Sequence, residues 1–136
     1  MPLDVHGVVP LLQVFDMPTA VHFYRDLLGF EVVQRSPSLS ERADDVNWTL
    51  LRLNGATLML NTAYEPEQRP PAPDPERIAA HSDTGLYFEC PDVDNAFRHF
   101  REMGVEAREP KVAPYGMKQM YFSDPDGYTL CFQWPA

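Results

Sequence analysis

The chain has 136 residues, 44% of them hydrophobic, and a formal net charge of −9. That length and apolar content fit one domain with a real core, and the acidic balance argues against nucleic acid and anionic membranes as partners. No apolar run is long enough to cross a bilayer, and Met1–His6 lacks the basic n-region of a signal peptide, so a cytoplasmic protein is the expectation.

A first strand is predicted to run to Val14. Asp16 then stands as a helix N-cap, where a carboxylate accepts backbone N–H bonds, and Pro18 is tolerable in a first turn. Ala20, Phe23, Tyr24, Leu27 and Leu28 make one apolar stripe, and Gly29 suits the left-handed residue that ends a helix. Strands are predicted near 30–35, 47–53 and 56–62, the last two joined by the hairpin dipeptide Asn54-Gly55. Residues 65–83 hold five prolines and read as an exposed linker with a short helical turn at 77–80.

The pattern then repeats. A strand near 84–90 precedes Asp92 as the second N-cap, and Val93, Ala96, Phe97, Phe100 and Met103 form the second stripe before Gly104. Strands follow near 105–109, 117–123 and 128–134. Asp124-Pro125-Asp126-Gly127 suits a hairpin loop built on a type I turn. The two copies lie about 76 residues apart, so the chain is expected to be one domain, 1–136, of two repeated modules, about 5–64 and 84–135, joined by the linker 65–83.

Alternate side chains of a strand face opposite ways. One parity collects Val8, Leu12, Val14, Leu51, Leu53, Leu58, Leu60, Leu86, Phe88, Met120, Phe122, Leu130 and Phe132, a set that must pack under the helices. The other collects Val9, Leu11, Gln13, Trp48, Leu50, Arg52, Met59, Asn61, Gly85, Tyr87, Glu89, Gln119, Tyr121, Thr129, Cys131 and Gln133. This mixture of rings, amides and a few charges suits a partly enclosed surface for an organic molecule, or a subunit interface. Trp48, Tyr87 and Tyr121 can stack on a planar ligand and attract cations. Asn61, Gln119 and Gln133 can orient it by hydrogen bonds, Glu89 complements positive charge and Arg52 opposes it.

Cys90 and Cys131 point to different faces, which argues against a disulfide. His22 and His99 fall outside the stripes and read as solvated, while His6 and His81 are lone histidines near a cavity mouth.

The segments "FDMPTAVHFYRDLLGFEVV", "ATLML", "LYFECPDVDNAFRHFREMGV" and "YFSDPDGYTLCFQ" carry a resemblance to the vicinal oxygen chelate superfamily, which includes glyoxalase I, extradiol dioxygenases and bleomycin resistance proteins. The resemblance implies an α+β fold of two βαβββ modules, with a curled mixed and antiparallel sheet around a cavity, and a homodimer. Metal-dependent relatives place His or Glu at four strand positions, which fall here at Val9, Met59, Gly85 and Cys131. None of the four is a ligand of that type, and a catalytic metal wants about three protein ligands. The expectation is therefore a cofactor-free protein of the bleomycin-resistance-like branch. It would bind an aromatic or cationic small molecule, in a resistance or sequestration role. Met59 and Cys131 would serve as pocket residues in vacated ligand positions. The alternatives are a metal-dependent lyase or dioxygenase with a divergent site, and a protein whose cavity is vestigial and whose role is partner binding.

Overall fold

The computed structural model describes residues 2–136. Its elements run β1 (Leu11–Val14), α1 (Met17–Val21, continued by π-helical turns at His22–Leu27), β2 (Glu31–Arg35), β3 (Trp48–Leu53) and β4 (Ala56–Thr62). Then come α2 (Pro75–Ala80), β5 (Gly85–Glu89), α3 (Val93–Glu102), β6 (Lys111–Val112), β7 (Met117–Ser123) and β8 (Thr129–Pro135). The strands form two four-stranded sheets, ordered β1-β4-β3-β2 and β5-β8-β7-β6. In each, the outermost pair β1·β4 or β5·β8 is parallel and the remaining pairs are antiparallel. This is the expected α+β architecture with its βαβββ order used twice.

The predicted caps form. Asp16 accepts from Thr19 N at 3.1 Å and Asp92 from Asn95 N at 3.0 Å. Each satisfies a first-turn donor that has no partner inside the helix. Asn54 takes positive φ in the β3–β4 hairpin, as the Asn-Gly signal requires.

Two expectations are corrected. β1 begins only at Leu11, so Val8 lies outside the sheet and is 87% exposed rather than packed under a helix. Pro10 has no N–H for a ladder, and its carbonyl, accepting from Met59 N, is the last link of β1 to β4. The strand near 105–109 reduces to a single bridge, Ala107 to Phe122, and regular pairing starts at Lys111, just past Pro110. The linker, largely exposed, is anchored at two points. Arg69 pairs with Asp16 at 3.0 Å and lies over the Phe15 ring, while Ile78 packs against Gly127 so closely that a Cβ there would sit 2.6 Å from it. Gly127 also adopts φ +83, so that position excludes other residues on two counts.

The core lies between helices and sheets, and it is continuous across the two modules. Phe30 meets Phe88 edge to face, Phe23 lies against Phe122, and Phe100 is wedged between Phe122 and Phe132. The π-helical turns explain how α1 serves both sides. Leu28 N donates to Phe23 O, an i→i+5 bond that widens the turn, and consecutive Phe23 and Tyr24 are both buried.

The turn Asp124-Pro125-Asp126-Gly127 locks the modules together. Asp124 Oδ2 accepts from the Tyr24 hydroxyl at 2.6 Å, and its Oδ1 from the backbone N–H groups of Asp126 and Tyr128. Asp126 Oδ1 accepts from Phe15 N at 2.7 Å. The Tyr128 hydroxyl lies 3.1 Å from Gln13 N, and His81 stacks on the Tyr128 ring while bonding Asp126 O. Burial pushes the Asp124 carboxyl above its ordinary range, against the pull of the Tyr24 hydroxyl. Burial likewise raises Asp126 to about 6, although the Phe15 N–H favours its charge.

Two outcomes follow for this junction. Tyr24→Phe leaves a buried carboxylate oxygen without its donor and is expected to cost about 1–3 kcal/mol in urea unfolding. A carboxyl with a raised folded-state pKa contributes stability that is full below its unfolded value and is lost as pH rises through the folded one. Asp126→Asn should therefore gain on wild type by roughly 1–3 kcal/mol between about pH 4 and about pH 7, read from paired melting curves.

Candidate functional site

Once the helices and the shared core take one face of each sheet, the mixed faces remain partly uncovered. In the first sheet, register sets Gln13 beside Asn61 and Asn61 beside Trp48, and Leu11 beside Met59 and Met59 beside Leu50. Asn61 Nδ2 donates to Gln13 Oε1 at 3.3 Å. Trp48, Leu50, Met59 and Asn61 are all half-buried. Arg52 is exposed near the β2 edge, in an ion pair with Glu31 at 3.0 Å. The opposition it offered to positive charge in the site is thereby largely compensated.

In the second sheet, β5, β8 and β7 align Tyr87, Cys131 and Tyr121 in one row and Glu89, Gln133 and Gln119 in the next. The Tyr87 and Tyr121 hydroxyls are 3.1 Å apart, with the rings edge to face. Tyr87 is 53% exposed. The hydrogen bond with Tyr87, reinforced by burial, holds the Tyr121 phenol far above its usual range. Gln119 Nε2 donates to Gln133 Oε1 at 2.9 Å, and Gln119 Oε1 accepts from the Tyr115 hydroxyl at 3.1 Å. Glu89 is exposed and has no ion-pair partner among the described residues. The structure thus brings Tyr87, Glu89, Gln119, Tyr121, Cys131 and Gln133 onto one face and Trp48, Met59 and Asn61 onto another, with Arg52 at the margin.

Among the described residues the two faces do not meet through hydrogen bonds or ring contacts. The links between modules run through the helix-side core and the Asp124–Asp126 turn. Two cavities lie where the modules meet. One of about 640 Å³ is bounded by Phe23, Leu27, Val105 and Phe122. The other, about 580 Å³, lies between the β3–β4 hairpin and β5, with Tyr87 and Glu89 in its lining.

The four positions that carry metal ligands in the metal-dependent relatives do not fit a metal here. Val9 and Gly85 offer no ligating side chain, and the thioether of Met59 is a poor partner for hard cations. The Tyr87 ring lies over Gly85, so that even a Cβ there would come within 2.9 Å of it. Cys131 is fully buried, and burial raises its thiol pKa, the reverse of what a nucleophile or metal thiolate needs. Among the described residues no three His, Cys, Asp or Glu side chains gather into a possible metal site. The lone histidines are absorbed elsewhere. His81 is bound to the Asp126 turn and His6 pairs with Asp4 at 2.8 Å.

Tyr115 is the residue of this face that strand assignment missed. It sits in the β6–β7 turn, outside any strand, where alternation along a strand does not apply, so no sequence signal marks it.

A family model described as the Glyoxalase/Bleomycin resistance protein/Dioxygenase superfamily matches residues 6–132. No curated protein sequence matches the chain. Among solved structures, the chain is similar to TnmS3, an antibiotic binding protein from Streptomyces sp. CB03234, at 25% identity and TM-score 0.66, over 98% of this chain and 100% of that one. It is similar in fold to TioX from Micromonospora sp. ML1 (20% identity, TM-score 0.70, 96% and 100% covered). A bleomycin-binding protein complexed with bleomycin gives 19% identity and TM-score 0.70, with 97% and 100% covered.

The hydroxyl pair on the second face is open to a direct check. Tyr87→Phe removes the partner that raises Tyr121, so the Tyr121 phenol should titrate at lower pH, visible in the tyrosinate absorbance of the variant against wild type.

Proposed function

We propose that this chain, which belongs to the Glyoxalase/Bleomycin resistance protein/Dioxygenase superfamily, is a metal-independent binding protein that sequesters a planar, nitrogen-rich organic molecule. The observation that carries this reading is the pair of open faces. Each sheet buries one side in the core and leaves on the other side rings and amides of which Trp48, Asn61, Tyr121 and Gln133 are half covered and Tyr87 is exposed, with Gln119 and Cys131 buried beneath them. Large apolar rings left this exposed, beside amides that are already oriented, mark a surface awaiting an occupant.

Rings at Trp48, Tyr87 and Tyr121 supply stacking, and Asn61, Gln119 and Gln133 supply orientation. Among the described residues Glu89 has no ion-pair partner while Arg52 is paired to Glu31, so the field on these faces favours a ligand with positive charge or N–H donors. The excess of acid over base in the whole chain acts in the same direction. Metal-assisted lyase or dioxygenase chemistry is disfavoured by the donor set at Val9, Met59, Gly85 and Cys131.

A single open face is half a pocket. A homodimer in which the first face of one protomer closes over the second face of its partner would enclose two equivalent sites, as closed two-fold symmetry requires. The antibiotic binding protein among the similar structures, at 25% identity, makes a drug-like ligand and a resistance role the natural first test.

The test is a thermal-shift screen of antibiotics and planar aromatic cations, with and without added zinc or nickel, followed by calorimetry on the compound that stabilises most. Binding should persist in chelator. Trp48→Ala and Tyr87→Ala should each weaken it by about 1–2 kcal/mol with the fold intact, the scale of one stacking contact. Unchanged affinity in both variants would show that these faces are not the site, and light scattering of a monomer at micromolar concentration would remove the shared pocket.

A further inference from the structure

We infer that Tyr115 decides which hydrogen-bonding group the second face accepts, by holding the amides of Gln119 and Gln133 in one orientation; the inference rests on that face being the ligand site.

A glutamine amide is ambiguous by itself. Its carbonyl accepts and its NH₂ donates, and a half-turn exchanges them. Here the exchange is blocked. Gln119 is only 7% exposed, so an unpaired oxygen there would be costly. That oxygen accepts from the Tyr115 hydroxyl at 3.1 Å. A phenol has one proton and donates more strongly than it accepts, because its lone pair is drawn into the ring. With Gln119 Oε1 fixed toward Tyr115, its Nε2 donates to Gln133 Oε1 at 2.9 Å. Gln133 then has one group left. Its Nε2 has no partner among the described residues, on a half-buried side chain of the open face. The relay runs from Tyr115 through Gln119 and presents a donor.

The residue beside that donor has the opposite sense. Glu89 is the register partner of Gln133 across β5 and β8, and its carboxylate is exposed and free of any ion pair among the described residues. A free N–H donor and a free acceptor therefore stand side by side. An amide or lactam edge has the complementary pair, a carbonyl next to an N–H, on one planar group. The ligand class selected is a planar aromatic carrying such an edge, its ring free to stack on Tyr87 or Tyr121.

Tyr115 can do this from a loop because the loop is closed. Ala113 N donates to Met117 O at 2.7 Å and Gly116 N to Ala113 O at 2.9 Å, with Gly116 at φ +89. The ring is 70% exposed, so only its hydroxyl is committed to the protein.

The experiment uses three naphthalenes of similar shape: 2-naphthamide, 2-acetylnaphthalene and 2-isopropenylnaphthalene, in which C=CH₂ replaces C=O. Calorimetry on the wild-type protein should rank them in that order. The amide should bind about tenfold more tightly than the isopropenyl compound, the scale of one or two neutral hydrogen bonds. In Tyr115→Phe the amides are free to turn over, so the donor orientation is only about half populated and the ratio should fall by about twofold, to about fivefold. Gln133→Glu, which replaces the donor by an acceptor in the same volume, should lose the preference as well. Retention of the full ratio in Tyr115→Phe, or equal binding of the acetyl and isopropenyl compounds by wild type, overturns the relay while leaving the face as a ligand site. Absence of heat with all three compounds on wild type overturns the ligand-site reading, and the relay with it.

Discussion

The carboxylate of Asp124 is buried beside an aromatic core, and it is tolerable there only because three donors converge on it. Two are backbone N–H groups of its own turn. The third, the Tyr24 hydroxyl, comes from the other module. An ionised or hydrogen-bonding group in such a place costs several kcal/mol if a donor is missing, so the turn cannot separate from α1 without a penalty. Asp126 repeats the device on Phe15 N. These bonds set how the two sheets sit relative to each other, and the rest of the geometry follows from that placement.

The relative placement decides which faces are closed. Because Tyr24 and Phe23 must both reach the second module, α1 takes π-helical turns over His22–Leu27, and its aromatic side chains join the core of the other sheet. The helix-side faces are thereby consumed. The mixed faces are left without a partner in the chain, and they keep their own short networks, amide to amide in both sheets and phenol to phenol in the second. Among the described residues no buried side-chain polar atom lacks a partner.

Chemistry on this fold is set by a few strand positions rather than by the fold itself. Where relatives gather hard ligands, this chain has placed two apolar or ligand-free residues, a thioether and a buried thiol. At Gly85 the edge of the Tyr87 ring lies close to where a side chain would begin.

Much of this was legible in the residues. Apolar periodicity, the caps at Asp16 and Asp92, Asn54-Gly55 and the alternation along β3, β4, β7 and β8 are local properties, and local properties survive in the order of the chain. They determined the two modules, the helix-side core and the composition of the mixed faces. The burial of Asp124 and Asp126 was not legible, because a surface turn and a buried one are written with the same residues, and their partners Tyr24 and Phe15 lie 100 and 111 positions away. Nor was the start of β1 at Leu11, where Pro10 overrode an alternation that continued to Val8. The pairing of Arg52 with Glu31 and the reach of Tyr115 to Gln119 likewise depend on which strands are neighbours and where a loop folds back. Tertiary structure alone decided these, because a hydrogen bond is a matter of distance and direction, and neither exists until the chain has closed on itself.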